Sequence, residues 1–185
     1  MQSIILASKS PRRKQLLEWA EIPFEIITED TEESFPAELK IEDVPVFIAK
    51  KKVLAVAADY PQQIVLAADT IVAIDNEVIG KPKDKEEARE TLQKLSGKTH
   101  RVITGVAIQL GEKEISFSDI TEVTFHKLSW EQINFYVEKY QPYDKAGAYA
   151  IQEWIGVIGI KCIKGDFYNV MGLPVSRVAQ ELQRF

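Results

Sequence analysis

The stretch QQIVLAADTIVAIDNEVIG, residues 62–80, constrains the fold most. It reads as a long apolar strand, a turn at Asp75-Asn76 and a short return strand. One residue is out of place in it. Asp69 sits inside the apolar run, and an ionised carboxylate in a buried strand is expensive unless it is paired, hydrogen-bonded or bound to a metal. Two readings stay open: a functional carboxylate, or a side chain at a bulge or strand end that faces water.

Shorter strands and capped helices alternate around that run. SIILA and PFEIIT read as strands on either side of a helix that begins at Ser10-Pro11 and buries Leu16, Leu17 and Ala20. Residues 29–43 are acidic, contain Pro36 and read as a loop. Val44 to Ala58 reads as a helix with Phe47, Ile48, Leu54, Ala55 and Ala58 on one face. DKEEARETLQKL is a helix capped by Asp84, and SWEQINFYVEKY is another capped helix. THRVITGVAIQL and EISFSDITEVTF pair as a hairpin around Gly111-Glu112. GVIGIKCIKG reads as a late strand, and the chain closes in a helix starting at Pro174. This interleaving, with an antiparallel hairpin, predicts a mixed α/β (α+β) fold. The 185 residues, 45% hydrophobic, suffice for a single domain over 1–185, with room for two lobes sharing one core.

The first helix poses an electrostatic problem. Arg12, Arg13 and Lys14 crowd its N-terminus, where the helix dipole is already positive and each cation costs roughly 0.3–1 kcal/mol. Lys51 and Lys52 fall near the apolar stripe of the second helix, where they either snorkel to water or point an ammonium at an anion. Lys81 lies on a rigid bend between Gly80 and Pro82, which also suits an ordinary turn lysine. Several cations on an acidic chain, with Asp69 and the acids of EDTEES able to hold a hard divalent metal, suit a polyphosphate. Free N–H groups at a helix N-terminus bind such anions. A solvated basic turn is the competing reading.

Other features bound the class. A formal net charge of −5 argues against a protein that coats nucleic acid. The one cysteine, Cys162, excludes an internal disulfide, fits a reducing compartment and reads as a packed thiol in VIGIKCI. MQSIILAS is too short for a signal peptide, and no run approaches the roughly 20 residues of a membrane span, so the expectation is a cytoplasmic protein with no membrane partner. His100 and His126 follow no metal-ligand spacing and read as structural.

LASKSPRRKQLL, AADTIVAIDNEVIGKP, LQKLSGKTHRVITGVAI, YDKAGAYAIQ and GDFYNVMGLP stand in an order that resembles the Maf family of nucleoside triphosphate pyrophosphatases. The resemblance implies a long mixed sheet in two lobes with a central cleft, similar to that of the inosine triphosphatases. It implies hydrolysis between the α- and β-phosphates of a nucleoside triphosphate with a divalent cation, Mg²⁺ or Mn²⁺. Ser8, Arg12, Arg13, Lys52 and Lys81 match substrate-binding positions, Asp69 the catalytic aspartate, and Glu33 with Asp69 the metal ligands. Arg12, Thr70 and Gln152 match positions associated with base selectivity in the branch acting on dTTP and UTP. A sister branch prefers methylated guanosine triphosphate.

Two rivals stay open at this point. One is a nucleotide-binding regulator of septum formation without turnover, a role linked to family members. The other is a nucleic-acid binder using SPRRK, which the acidic balance disfavours. A preference for modified nucleotides, and a homodimeric state, are left open by the residues.

Overall fold

The computed structural model describes residues 3–185; Met1 and Gln2, which open the MQSIILAS run, lie outside the described residues. In chain order the elements are β1 (Ile4–Leu6), α1 (Pro11–Trp19), β2 (Phe24–Ile26), α2 (Val44–Ala57), β3 (Val65–Ile74), β4 (Glu77–Ile79), α3 (Lys85–Leu95), β5 (Thr99–Leu110), β6 (Lys113–Phe125) and α4 (Trp130–Tyr140). A 3₁₀ turn at Ala146–Ala148 precedes α5 (Trp154–Gly159), β7 (Ile160–Lys164), α6 (Phe167–Met171) and α7 (Val175–Leu182). The strands join a seven-stranded sheet in the order β2-β1-β3-β5-β6-β7, with β4 on β3. β1 pairs β2 and β3 in parallel, while β3–β4 and β6–β7 are antiparallel, so the sheet is mixed, as the sequence predicts.

The chain forms two compact units. The first takes the residues up to Thr70, Thr104–Asp119 and Gly172–Phe185. Its core sets α2 (Ala49, Val53, Val56, Ala57) against Ile5 of β1, Ala7 just after it, β3 (Val65, Ala67) and β5 (Ala107). Five of those nine residues are alanine, and small side chains let a helix lie close on a sheet. Contact is closest at Gly105 of β5, where an added Cβ would lie 2.1 Å from the backbone nitrogen of Val46.

The second unit takes Ile71–Ile103 and Ile120–Met171. The β3–β4 turn is built as expected: Asp75 and Asn76 both adopt positive φ, 50° and 62°, as a two-residue hairpin turn requires. Asp84 caps α3 by accepting from the Glu87 N–H, and Ser129 with Gln132 forms a full capping box on α4. His100 is buried here. Its ring stacks on Phe125 and its Nε2 lies 2.7 Å from the Tyr149 hydroxyl. Its Nδ1 has no hydrogen-bond partner among the described residues. Burial drops the His100 pKa to about 4 and pushes the Tyr149 phenol upward, so both are neutral near pH 7.

The structure corrects five expectations. Ala20 is exposed at the C-cap of α1, whose buried residues are Arg13, Leu16 and Leu17. α2 buries Val44, Pro45, Ile48, Ala49, Val53, Val56 and Ala57, while Leu54 is 55% exposed, so the core face is rotated from the one predicted. α2 is apolar nearly all round, and its hydrophobic pattern does not single out one face. GVIGIKCIKG is a helical turn before it is a strand, because α5 runs to Gly159. Cys162 is exposed, not packed: β7 is the edge strand of the sheet, and Lys161, Cys162 and Lys164 are all exposed along it, so neither face is fully covered there. Ser10 occupies the N-cap of α1 with Pro11 next to it, but its side chain makes no capping bond.

Two outcomes follow from this packing. Gly105→Ala drives a methyl into the α2 backbone and should cost about 2–3 kcal/mol, read as a lower urea midpoint at unchanged m-value. A wild-type midpoint would contradict the close approach of α2. For His100 the folded pKa lies below the unfolded one, so the unfolded chain takes up the proton first as pH falls. Stability should be full above about pH 6.5 and decline toward pH 4, by up to about 3 kcal/mol. His100→Gln should flatten that acid limb; an unchanged slope would contradict the assignment.

Candidate functional site

The first unit carries a polar cluster built from four segments. Alternation along β3 sends neighbouring residues to opposite faces of the sheet. Asp69 follows Val65 and Ala67 onto the face covered by α2, while Thr70 follows Leu66 and Ala68 onto the other. Lys52 precedes the buried Val53 on α2, so its stem runs along the core edge and its ammonium emerges at Asp69. The Nζ of Lys52 donates to Asp69 Oδ1 at 2.8 Å and to Glu33 Oε1 at 2.7 Å. The Lys52 and Asp69 side chains are only 17% and 14% exposed, which makes this pair stronger than a surface bridge. Of the two lysine readings, the anion-directed one holds for Lys52. Lys51 bonds the Ser34 carbonyl at 3.3 Å and lies over the Phe47 ring.

Those bonds also fasten the acidic loop. Lys9 holds Asp30 at 2.8 Å, Lys52 holds Glu33 and Lys51 holds Ser34, so lysines of the β1–α1 turn and of α2 pin a segment without regular secondary structure. Between turn, loop and helix lies an open polar hollow of about 150 Å³, bordered by Ser8, Lys9 and Lys52 and by the acidic Glu29, Asp30 and Glu33.

On the other face of β3, Arg13 is buried. Its Nε donates to the Gly172 carbonyl at 2.8 Å, its Nη1 to Ser8 Oγ at 3.1 Å and its Nη2 to Thr70 Oγ1 at 3.1 Å. Desolvation lowers its pKa most strongly; the Asp69 carboxylate opposes that, the neighbouring Arg12 charge adds to it, and Glu33 opposes it again. The carboxylate cluster therefore stabilises a guanidinium that helix dipole and burial both penalise. Thr70 Oγ1 also shares a hydrogen bond with Thr104 Oγ1 at 2.9 Å and donates to the Gly172 carbonyl at 3.4 Å.

Of the nine candidate residues, Ser8, Arg12, Arg13, Glu33, Lys52, Asp69 and Thr70 thus belong to one unit. Arg12 is half-buried on the first turn of α1. Lys81 and Gln152 belong to the second unit: both are exposed, Lys81 between β4 and α3 and Gln152 just before α5. Gly172 and Thr104 are additions that residue types alone do not flag. Gly172 has φ +115°, a conformation that favours glycine, and that places its carbonyl on Arg13. The glycine of GDFYNVMGLP was the available signal. No group of three or more His, Cys, Asp or Glu side chains gathers among the described residues. No helix among them is long and apolar enough to cross a membrane.

A family model described as Maf-like protein matches residues 3–185. The chain belongs to the Maf family. Curated relatives span nearly all of this Maf-family chain. A dTTP/UTP pyrophosphatase of Cytophaga hutchinsonii is 56% identical over 98% of this chain and 83% of its own. One from Phocaeicola vulgatus is 50% identical over 98% and 95%, and one from Bacillus cytotoxicus 49% identical over 100% and 96%. Among solved structures, the Staphylococcus aureus Ham1 protein overlaps 67% of this chain and 72% of its own at TM-score 0.48 and 14% identity, a likeness too distant to fix the fold.

Proposed function

We propose that this Maf-family protein is a nucleoside triphosphate pyrophosphatase that hydrolyses dTTP and UTP to the nucleoside monophosphate and pyrophosphate. The observation that carries this reading is that relatives 49–56% identical over 98–100% of the chain bear the name dTTP/UTP pyrophosphatase. The Lys52–Asp69–Glu33 cluster beside the Ser8 turn supports it, because it pairs a cation for phosphate oxygens with a carboxylate for the attacking water.

In this reading Ser8, Lys52 and Arg12 engage the phosphates. Positioning and charge stabilisation supply most of the rate in phosphoryl chemistry. Water attacks the α-phosphorus, the new P–O bond forms, and the bond from that phosphorus to the bridging oxygen breaks. Pyrophosphate leaves with the bond's electron pair. Asp69 takes the proton of the attacking water. Lys52 fixes the orientation of that carboxylate through its 2.8 Å bond.

A divalent cation, Mg²⁺ or Mn²⁺, is part of the proposal. Asp69 and Glu33 already converge on one positive charge, the Lys52 ammonium. Two carboxylates completed by substrate phosphates and water are the donor set that magnesium takes, so these residues fit it. When bound, the cation would neutralise charge on the phosphate oxygens. The same reading makes the substrate a small molecule in the cytoplasm, and the net charge of −5 speaks against a nucleic-acid partner.

Asp69→Asn tests the reading. Pyrophosphate release from dTTP and UTP should fall at least about 100-fold, while calorimetric dTTP affinity stays within about tenfold of wild type. Near-native turnover in the variant would refute the role of Asp69. Wild-type binding without release would make the protein a nucleotide sensor instead.

A further inference from the structure

We propose that Arg13 is a positioning residue: it leaves the phosphates to other groups and sets the Ser8 hydroxyl as a hydrogen-bond donor into the hollow. The proposal rests on reading that hollow as a phosphate site. It reassigns Arg13, which the family resemblance places among the substrate-binding residues.

The argument is an inventory of protons and lone pairs. A serine hydroxyl has two acceptor lone pairs and one proton to donate. Ser8 Oγ accepts from Arg13 Nη1 at 3.1 Å and from the Ser10 N–H at 3.3 Å. Both lone pairs are then occupied, and the proton must go elsewhere. Ser8 borders the hollow, so its O–H is a one-way donor there. Such a group suits a ligand made only of acceptors, such as a phosphate oxygen, and rejects a cation or a donor.

Arg13 itself is built in. It is 8% exposed, and three of its N–H groups go to Gly172, Ser8 and Thr70. Thr70 is equally committed: it accepts from Arg13, bonds Thr104 and donates to Gly172. One guanidinium therefore joins the β1–α1 turn, the residue next to Asp69 and the chain segment entering α7.

The test measures inorganic tripolyphosphate binding by calorimetry for wild type, Ser8→Ala, Arg13→Lys and the double variant. Each single change should weaken binding about tenfold. The double variant should bind as Ser8→Ala does, within about twofold, because Arg13 acts only through Ser8. A double variant weakened by the product of the single effects makes Arg13 a direct phosphate ligand and overturns the proposal. Should Arg13→Lys fail to fold, a crystal structure of the wild type with tripolyphosphate decides. Ser8 Oγ on a phosphate oxygen, with Arg13 still on Gly172, supports the proposal; a phosphate oxygen on the guanidinium overturns it. If the wild type binds no tripolyphosphate and releases no pyrophosphate from dTTP, the phosphate reading fails first, and this proposal fails with it.

Discussion

One ammonium holds two carboxylates from distant parts of the chain. Lys52 reaches Asp69 on β3 and Glu33 on the acidic loop at hydrogen-bond distance, and it does so from a side chain that is mostly buried. Without it, Asp69 would be a charge in an apolar strand with an unfavourable desolvation term. With it, the costly carboxylate is paired and aimed. Geometry elsewhere in the first unit serves this arrangement. The alanine-rich core and the missing side chain at Gly105 bring α2 close to the sheet, and that closeness puts Lys52 within reach of β3.

A second network stands on the opposite face of the same strand. Asp69 and Thr70 are adjacent in sequence, yet the pleat sends one to Lys52 and the other to Arg13. The two networks are coupled by charge, because Asp69 and Glu33 offset the desolvation of Arg13. This answers the problem of basic residues at a helix N-terminus. Neutral protein acceptors hold Arg13, and nearby carboxylates offset the desolvation of its charge.

Much of the architecture was legible because the signals were local. The Asp75-Asn76 turn, the Asp84 cap and the Ser129 box each follow from residues within a few positions of one another. Asp69 stood out because a charge in an apolar run is a local anomaly. What stayed hidden depends on partners far along the chain. The buried face of α2 follows from where β5 offers Gly105, and periodicity within an all-round apolar helix does not reveal that. Cys162 is exposed because β7 ends the sheet, a fact of strand order and not of the VIGIKCI pattern. The Arg13 partners lie up to 159 positions away, so its residue type alone does not reveal the bonds to Ser8, Thr70 and the Gly172 carbonyl. The family resemblance supplied the candidate residues, and the family match over residues 3–185 bears the recognition out.

The most direct test of the Lys52 arrangement is a double-mutant cycle on folding stability with Lys52→Met and Asp69→Asn. Removing Lys52 alone leaves Asp69 and Glu33 facing each other without their shared cation, and removing Asp69 as well should relieve part of that cost. The predicted coupling is about 1–3 kcal/mol, with the double variant losing less than the two single losses combined. Strictly additive losses would show that the ammonium and the strand carboxylate do not act on each other, and would contradict the account.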